Sequence, residues 1–442
     1  MTVMAMPALH PDKWSLVTGW LPIVVTIVGA VALIALMISR RRRFWIRVVP
    51  IVGLTCLALV ALFDVLVEVV WSPFPEPLPF DNLVWGWVGL VAIGLAAARM
   101  ARLPWWGKAG AVLAALAVVI VAGTQINISW GLYPTVHAAW DEFQARSEGL
   151  PDSTAPVRPV VSASTGTELV DAWQPPEGMP DKGSVSEVTI PSSVSRFPAR
   201  KGFVYLPPAY AMTPRPVLPV VVMLAGQPGV PDNWINWLQL PAAMDAFARG
   251  HKGLAPVVVM PDDLGSTFAN PLCVDSPLGN VETYLARDVP TWIRSTLQVA
   301  TDRKSWFIGG YSHGGTCSLQ LAVRAPQIYG GFLDFSGQLE PTLGTRKKTV
   351  DKAFGGSDAA FSRINPLDIM HHTKFPETAG FLVVGTSDKG YQEQRQVFGA
   401  CKTAGMDMQW LDLPGDHTPE LWRLALVRAL PWIAVHSRLA AS

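Results

Sequence analysis

The stretch "FIGGYSHGGTCSLQLA", residues 307–322, decides how this chain is read. An apolar run ends in glycines around Ser312 and helical character follows, so Gly310-Tyr311-Ser312-His313-Gly314 fits G-x-S-x-G at a strand-to-helix turn. A serine on so sharp a turn has a strained backbone, and neighbouring chain passes so close that small flanking residues are needed. The bare motif is common. The strand pattern "SWFIG" before it and the helix pattern after it make it specific.

A serine hydroxyl is a weak nucleophile until an imidazole takes its proton, and the imidazole needs a carboxylate to fix its tautomer. The order serine, acid, histidine is met downstream of Ser312: Asp388 follows the apolar run "GFLVVGTS", and His417 lies in "LPGDHTPELW" after a further strand pattern. Asp416 is the rival acid, but it adjoins the histidine in the chain and is badly placed to orient its ring. The oxyanion of an acyl-transfer intermediate needs two donors. The expected ones are the backbone N–H groups of His313, next to the serine, and of Gln227 in "LAGQPG". The His313 ring is then incidental, and His371, His372 and His436 lack any comparable context.

Outward from this centre, β-branched apolar runs bounded by turn residues mark strands: "SVSEVTI", "KGFVYLPP", "PVLPVVVMLAG", "APVVVMPDD", "SWFIGGYS", "GGFLDFSG", "GFLVVGTSD" and "MQWLDLPGDH". Several are nearly continuous apolar runs, as in strands buried on both faces of a parallel sheet. Helix patterns such as "VETYLARDVPTWIRSTL", "TCSLQLAVRAP" and "YQEQRQVFGACKTAG" lie between them. The expected fold class is α/β, a mostly parallel sheet flanked by helices, over residues 184–442. The three candidate catalytic residues fall at the carboxyl ends of strands, where active sites of open α/β sheets lie.

The rest of the chain is of another kind. Of 442 residues, 50% are hydrophobic and 16% charged, too apolar for a protein wholly in water. A net charge of +1 argues against nucleic acid as a partner. Four hydrophobic stretches, at residues 15–38, 48–71, 82–98 and 109–126, each approach the roughly 20 residues that cross a hydrocarbon core as a helix. Trp85 and Trp87 suit an interfacial belt. The first stretch leads into "SRRRRFWIR" without a small-residue cleavage site, so it reads as a span and not a signal peptide.

Arg40 to Arg43 and Arg47 follow the first span, and Arg99, Arg102 and Lys108 follow the third; lysine and arginine are retained on the cytoplasmic side. The loop "SPFPEPLPFDN" carries Glu76 and Asp81 and no basic residue. Both termini are therefore expected outside the cytoplasm. Asp64 and Glu68 share a face of the second span near its outer end, within reach of interfacial water. Residues 127–183, rich in Pro, Ser, Thr and Gly, read as an extracytoplasmic linker.

Of four cysteines, Cys56 lies in a span and Cys273, Cys317 and Cys401 lie outside, where disulfides persist. A Cys273–Cys317 bridge would brace the serine turn against a neighbouring loop; three buried free thiols are the other reading. Neither H-E-x-x-H nor a clustered Cys/His spacing occurs, so no metal and no organic cofactor is expected.

The segments "FVYLPPAY", "LAGQPGVPDNW", "VVVMPDD", "CVDSPLGNVETYLARDVPTWI", "GGYSHGGTCSLQLAV" and "GDHTPELW" together resemble the esterase D-like branch of the α/β-hydrolases, which includes the mycolyltransferases of bacterial envelopes. The resemblance covers residues 202–422. It implies the α/β-hydrolase fold, the Ser312, Asp388 and His417 triad, and action on carboxylic esters. Two features depart from the family: "LAGQPG" stands where His-Gly is usual, and four spans replace a secretory signal. The expected function is a membrane-anchored serine esterase of envelope lipids, such as aminoacylated phosphatidylglycerol or acylated glycolipids. An acyltransferase that moves the acyl group to an envelope alcohol, and a non-catalytic binding member of the fold, are the alternatives.

Overall fold

Backbone polar groups in lipid must be satisfied within their own segment, and apolar stretches of this length do so as helices. The computed structural model describes residues 14–71, 78–100, 103–141, 147–151, 154–164 and 166–441, which form two units, Met1–Gln144 and Ala145–Ser442. In the first unit the long helices are α1 (Trp20–Met37), α2 (Val49–Val65), α3 (Phe80–Met100) and α4 (Trp105–Trp130). π-helical turns extend α2 at both ends, giving a continuous rod over Phe44–Val69. All four are long and apolar enough to cross a membrane. Their ends differ from the expected 15–38, 48–71, 82–98 and 109–126 by up to five residues: the first helix starts late, at Trp20, whereas the third and fourth run on at both ends. Glu76 and Arg102 lie outside the described residues.

Glycines set how closely these helices approach, since lipid tails offer no hydrophobic drive and packing must be intimate. A Cβ on Gly94 of α3 would stand 2.6 Å from Val52 Cγ1 of α2. Polar side chains add cross-links: Gln125 Nε2 donates to Thr26 Oγ1 at 2.9 Å, and Arg99 Nη1 donates to the Leu36 carbonyl at 2.6 Å. Glu68 Oε1 accepts the Leu78 N–H at 3.1 Å, whereas Asp64 Oδ1 is buried without a partner among the described residues.

The second unit is built on strands β1 (Ser147–Glu148), β2 (Ser184–Val188), β3 (Gly202–Leu206), β4 (Val220–Leu224), β5 (Val257–Met260), β6 (Trp306–Tyr311), β7 (Gly331–Phe335), β8 (Ala379–Gly385) and β9 (Asp407–Leu413). Their spatial order is β1-β2-β3-β5-β4-β6-β7-β8-β9. β3 runs antiparallel to both its neighbours, and the other pairings are parallel. Alternate side chains feed two cores. Val204, Val222, Val259, Ile308 and Phe332 point to one face, and Tyr205, Val221, Val258, Phe307 and Leu333 to the other.

Helices cover both faces. α5 (Leu240–Gly250) and α8 (Pro419–His436) pack on the second face, through Met244, Trp422 and Leu426. α6 (His313–Arg324) and α7 (Tyr391–Thr403) pack on the first, through Leu321 and Val397. This is the doubly covered sheet expected from the sequence.

The 127–183 stretch, expected to be a linker, divides. Its start completes α4, and its end belongs to the second unit. Trp173 is fully buried and its indole N–H donates to the Lys252 carbonyl at 3.0 Å, while Leu169 N–H donates to the Arg438 carbonyl at 3.0 Å. A linker composition therefore conceals a strap of chain held by one tryptophan and backbone hydrogen bonds.

Candidate active site

Strand β6 delivers Ser312 at its carboxyl end, and the turn into α6 forces the serine to φ 53° and ψ −119°. A non-glycine residue in that region is strained and persists only where its surroundings over-determine it. They do so here: Ser312 N–H donates to the Phe335 carbonyl at 2.8 Å, and the flanking glycines admit backbone that no side chain could meet. A Cβ on Gly314 would stand 2.5 Å from the Leu224 carbonyl oxygen, and one on Gly310 would collide with the Gly314 backbone. G-x-S-x-G is thus a steric requirement of this turn.

Strand β8 ends three residues before Asp388, and β9 ends four before His417. The two side chains meet, with His417 Nδ1 2.9 Å from Asp388 Oδ2. Burial alone would raise the Asp388 carboxyl, but the hydrogen bond and charge of His417, with the Gly390 N–H, outweigh it and hold the group below its ordinary value. Asp416 is occupied differently, its Oδ1 accepting the backbone N–H of His417 at 2.8 Å. The imidazole also lies edge-on to Trp422, ring centres 5.0 Å apart, and Trp422 stacks on Tyr311 beside the serine.

The loop after β4 passes over the serine: a Cβ on Gly226 would stand 3.3 Å from Ser312 Cβ. Gln227 follows, buried, with its side-chain amide donating to the Phe268 carbonyl at 3.1 Å. Arg200 holds this loop. It donates to the Gly229 carbonyl at 3.1 Å while gripping Asp262 through Nε at 2.9 Å and Nη2 at 2.6 Å. The N–H of His313, at the start of α6, has no partner within its own helix. Gln227 thus belongs to the loop that passes over the serine, and His313 follows the serine in the chain.

Two contributors carry no signal in the sequence. Gln338 Nε2 donates to Ser312 Oγ at 3.3 Å, and Gln338 is itself held by Thr316, whose hydroxyl donates to Gln338 Oε1 at 2.6 Å and accepts its N–H at 2.7 Å. Asp334, fully buried on β7, fixes the turn that presents Gln338 by accepting the Gly337 N–H at 2.8 Å. Burial pushes the Asp334 carboxyl up to about 7, and the charge of Asp388 adds to the push.

The His313 ring, incidental on the sequence reading, is instead buried beside a Cys273–Cys317 disulfide, and burial lowers its imidazole to about 4. Cys401 is buried and free.

Sheet order, elbow and the residues at the carboxyl edge define an α/β-hydrolase. The chain belongs to the esterase family described as "Putative esterase", which matches residues 198–433, and it is a carboxylic ester hydrolase. An uncharacterized protein of Corynebacterium glutamicum is 35% identical over 385 residues, covering 84% of this chain and 85% of that one. That span exceeds the second unit, so the likeness reaches into the apolar helices. Among solved structures, a ferulic acid esterase superposes with a TM-score of 0.50 at 18% identity, covering 58% of this chain and 98% of that one. An S-formylglutathione hydrolase from Agrobacterium tumefaciens gives 0.49 at 17%, covering 59% and 97%. At such identity the first of these speaks to the fold alone.

Proposed function

We propose that this protein is a membrane-anchored, extracytoplasmic serine esterase acting on carboxylic esters of envelope lipids. The observation that carries the chemistry is the Asp388–His417 pair, 2.9 Å apart, at the same sheet edge as a serine on a strained elbow. Ser312 Oγ attacks the ester carbonyl as His417 takes its proton. The N–H groups of His313 and Gln227 hold the oxyanion while the imidazolium, steadied by Asp388, returns the proton to the departing alcohol. Water, activated by the same imidazole, then releases the acid. An alcohol in place of that water would make the reaction an acyl transfer.

The lipid class rests on the covalent joining of this unit to four apolar helices, which raises the local concentration of any ester in the same membrane. In proteoliposomes, the full chain and residues 145–442 are expected to turn over a short soluble ester equally, whereas the truncated form loses most activity on extracted envelope lipids in vesicles. Equal activity on vesicles overturns the lipid reading.

The outward placement rests on the positive-inside rule applied to Arg40 to Arg43 and Arg99. A reporter that works only beyond the cytoplasm should be active when fused after residue 140 and silent when fused after Arg43. The reverse result inverts the topology.

A further inference from the structure

The loop after strand β5 carries two adjacent acids, Asp262 and Asp263, with opposite fates. Asp262 is fully used, by Arg200 and by the N–H groups of Leu264 at 3.2 Å and Gly265 at 3.1 Å. Asp263 is 1% exposed; the backbone N–H groups of Asp263 itself and of Ala225 act on its carboxyl, but neither carboxylate oxygen has a side-chain donor or a hydrogen bond of good geometry among the described residues. A buried carboxylate in that condition is costly and calls for an explanation. Its Oδ2 lies 3.7 Å from His313 Nε2, and the same nitrogen lies 3.3 Å from Cys317 Sγ and 3.6 Å from Cys273 Sγ. The four ligand atoms all fall within 4.8 Å of one another.

We propose that Asp263, Cys273, His313 and Cys317 form a four-coordinate zinc site when the Cys273–Cys317 disulfide is reduced. Tetrahedral Zn²⁺ with bonds of about 2.0–2.3 Å has ligand–ligand edges of about 3.3–3.8 Å, and the three edges that meet at His313 Nε2 already have these lengths. Two thiolates, an imidazole and a carboxylate are a zinc donor set, with softness that disfavours Mg²⁺ and Ca²⁺. The ion would give the Asp263 carboxylate a direct partner beyond the His313 ring at 3.7 Å.

The conversion balances. A dithiol gives two electrons and two protons to the disulfide and becomes a disulfide itself, leaving two cysteine thiols. Zn²⁺ then replaces the two thiol protons, and the proton of Asp263 where it is held, releasing them to solvent. Both closures join the same elements, the loop after β5 and the first two turns of α6. Leu272 and Cys273, at φ 65° and 51°, are two successive non-glycine residues in left-handed backbone, and either closure holds them there. The serine elbow would keep its brace whether its surroundings are oxidising or reducing.

The test uses full-length protein in detergent and Co²⁺ as an optical stand-in for zinc. A trialkylphosphine reduces the disulfide, with water supplying oxygen to the phosphorus and protons to the sulfurs, and is removed without air before titration. Reduced protein should bind one Co²⁺ per chain, with a thiolate charge-transfer band and intense tetrahedral visible bands, both erased by Zn²⁺. Oxidised protein should show neither. Asp263→Asn should weaken binding and keep the charge-transfer band, whereas the double variant Cys273→Ser, Cys317→Ser should lose it. Reduced wild-type protein without the tetrahedral spectrum, folded or not, overturns the proposal, as does a charge-transfer band that survives in the double cysteine variant.

Discussion

Replacing Ser312 with alanine is expected to lower turnover on the order of a millionfold, because the variant has no nucleophile and the imidazole no proton to accept. The fold should survive. The serine's structural duties are carried by its backbone, through φ 53° and the 2.8 Å bond from its N–H to Phe335, and alanine meets the same strain with a similar Cβ. The lost hydroxyl frees Gln338 Nε2, which is part-buried and keeps access to water. Thermal melts of the two proteins should therefore nearly coincide while hydrolysis of a short soluble ester disappears, together with labelling by a fluorophosphonate. A residual rate of one tenth or more would remove Ser312 from the mechanism. Loss of labelling with unchanged turnover would point to a different nucleophile.

The elbow is the part of the site that sequence reveals best, for a local steric reason. Gly310 and Gly314 are required by backbone within a few residues of the serine or in the adjoining strand, so their spacing records the turn. Asp388 is legible by order along the chain. Its preference over Asp416 becomes physical only when the structure turns Asp416 toward the backbone N–H of His417. Strands such as "VVVML" and "VVVM" are equally plain, since burial on both faces leaves no polar alternation to misread.

What stays hidden depends on chain remote in sequence. Gln338 reaches the serine from 26 residues away through a turn fixed by buried Asp334, and neither residue type is diagnostic. Asp263, Cys273, His313 and Cys317 converge from the loop after β5 and from the start of α6, about fifty residues apart in the chain, so no metal-binding spacing announces them. Trp173 sits in a stretch whose prolines and glycines suggest solvent-exposed chain. Its burial comes from tertiary contacts that composition does not encode.

Asp388→Asn is expected to lower kcat about ten-thousand-fold, roughly 5.5 kcal/mol of lost transition-state stabilisation, while leaving the side chain's shape. The carboxylate accepts from His417 Nδ1, which leaves Nε2 as the basic nitrogen. An amide can donate instead, and it then favours the tautomer whose Nε2 carries a proton and cannot take one from serine. Asp416 cannot substitute while its Oδ1 is bound to the His417 N–H at 2.8 Å, so Asp416→Asn should retain activity within about tenfold of wild type, far from the loss at Asp388. Stability supplies a second readout whose sign is fixed. The folded carboxyl of Asp388 is held below its ordinary value, so its contribution is present above the unfolded value of about 4 and is lost as pH falls through the lower folded value. The asparagine variant should therefore be less stable than wild type near neutrality, with the gap closing as the solution is acidified below about pH 4. Activity at Asp388→Asn within tenfold of wild type, or a stability gap that widens in acid, would break the assignment of Asp388 as the group that orients His417.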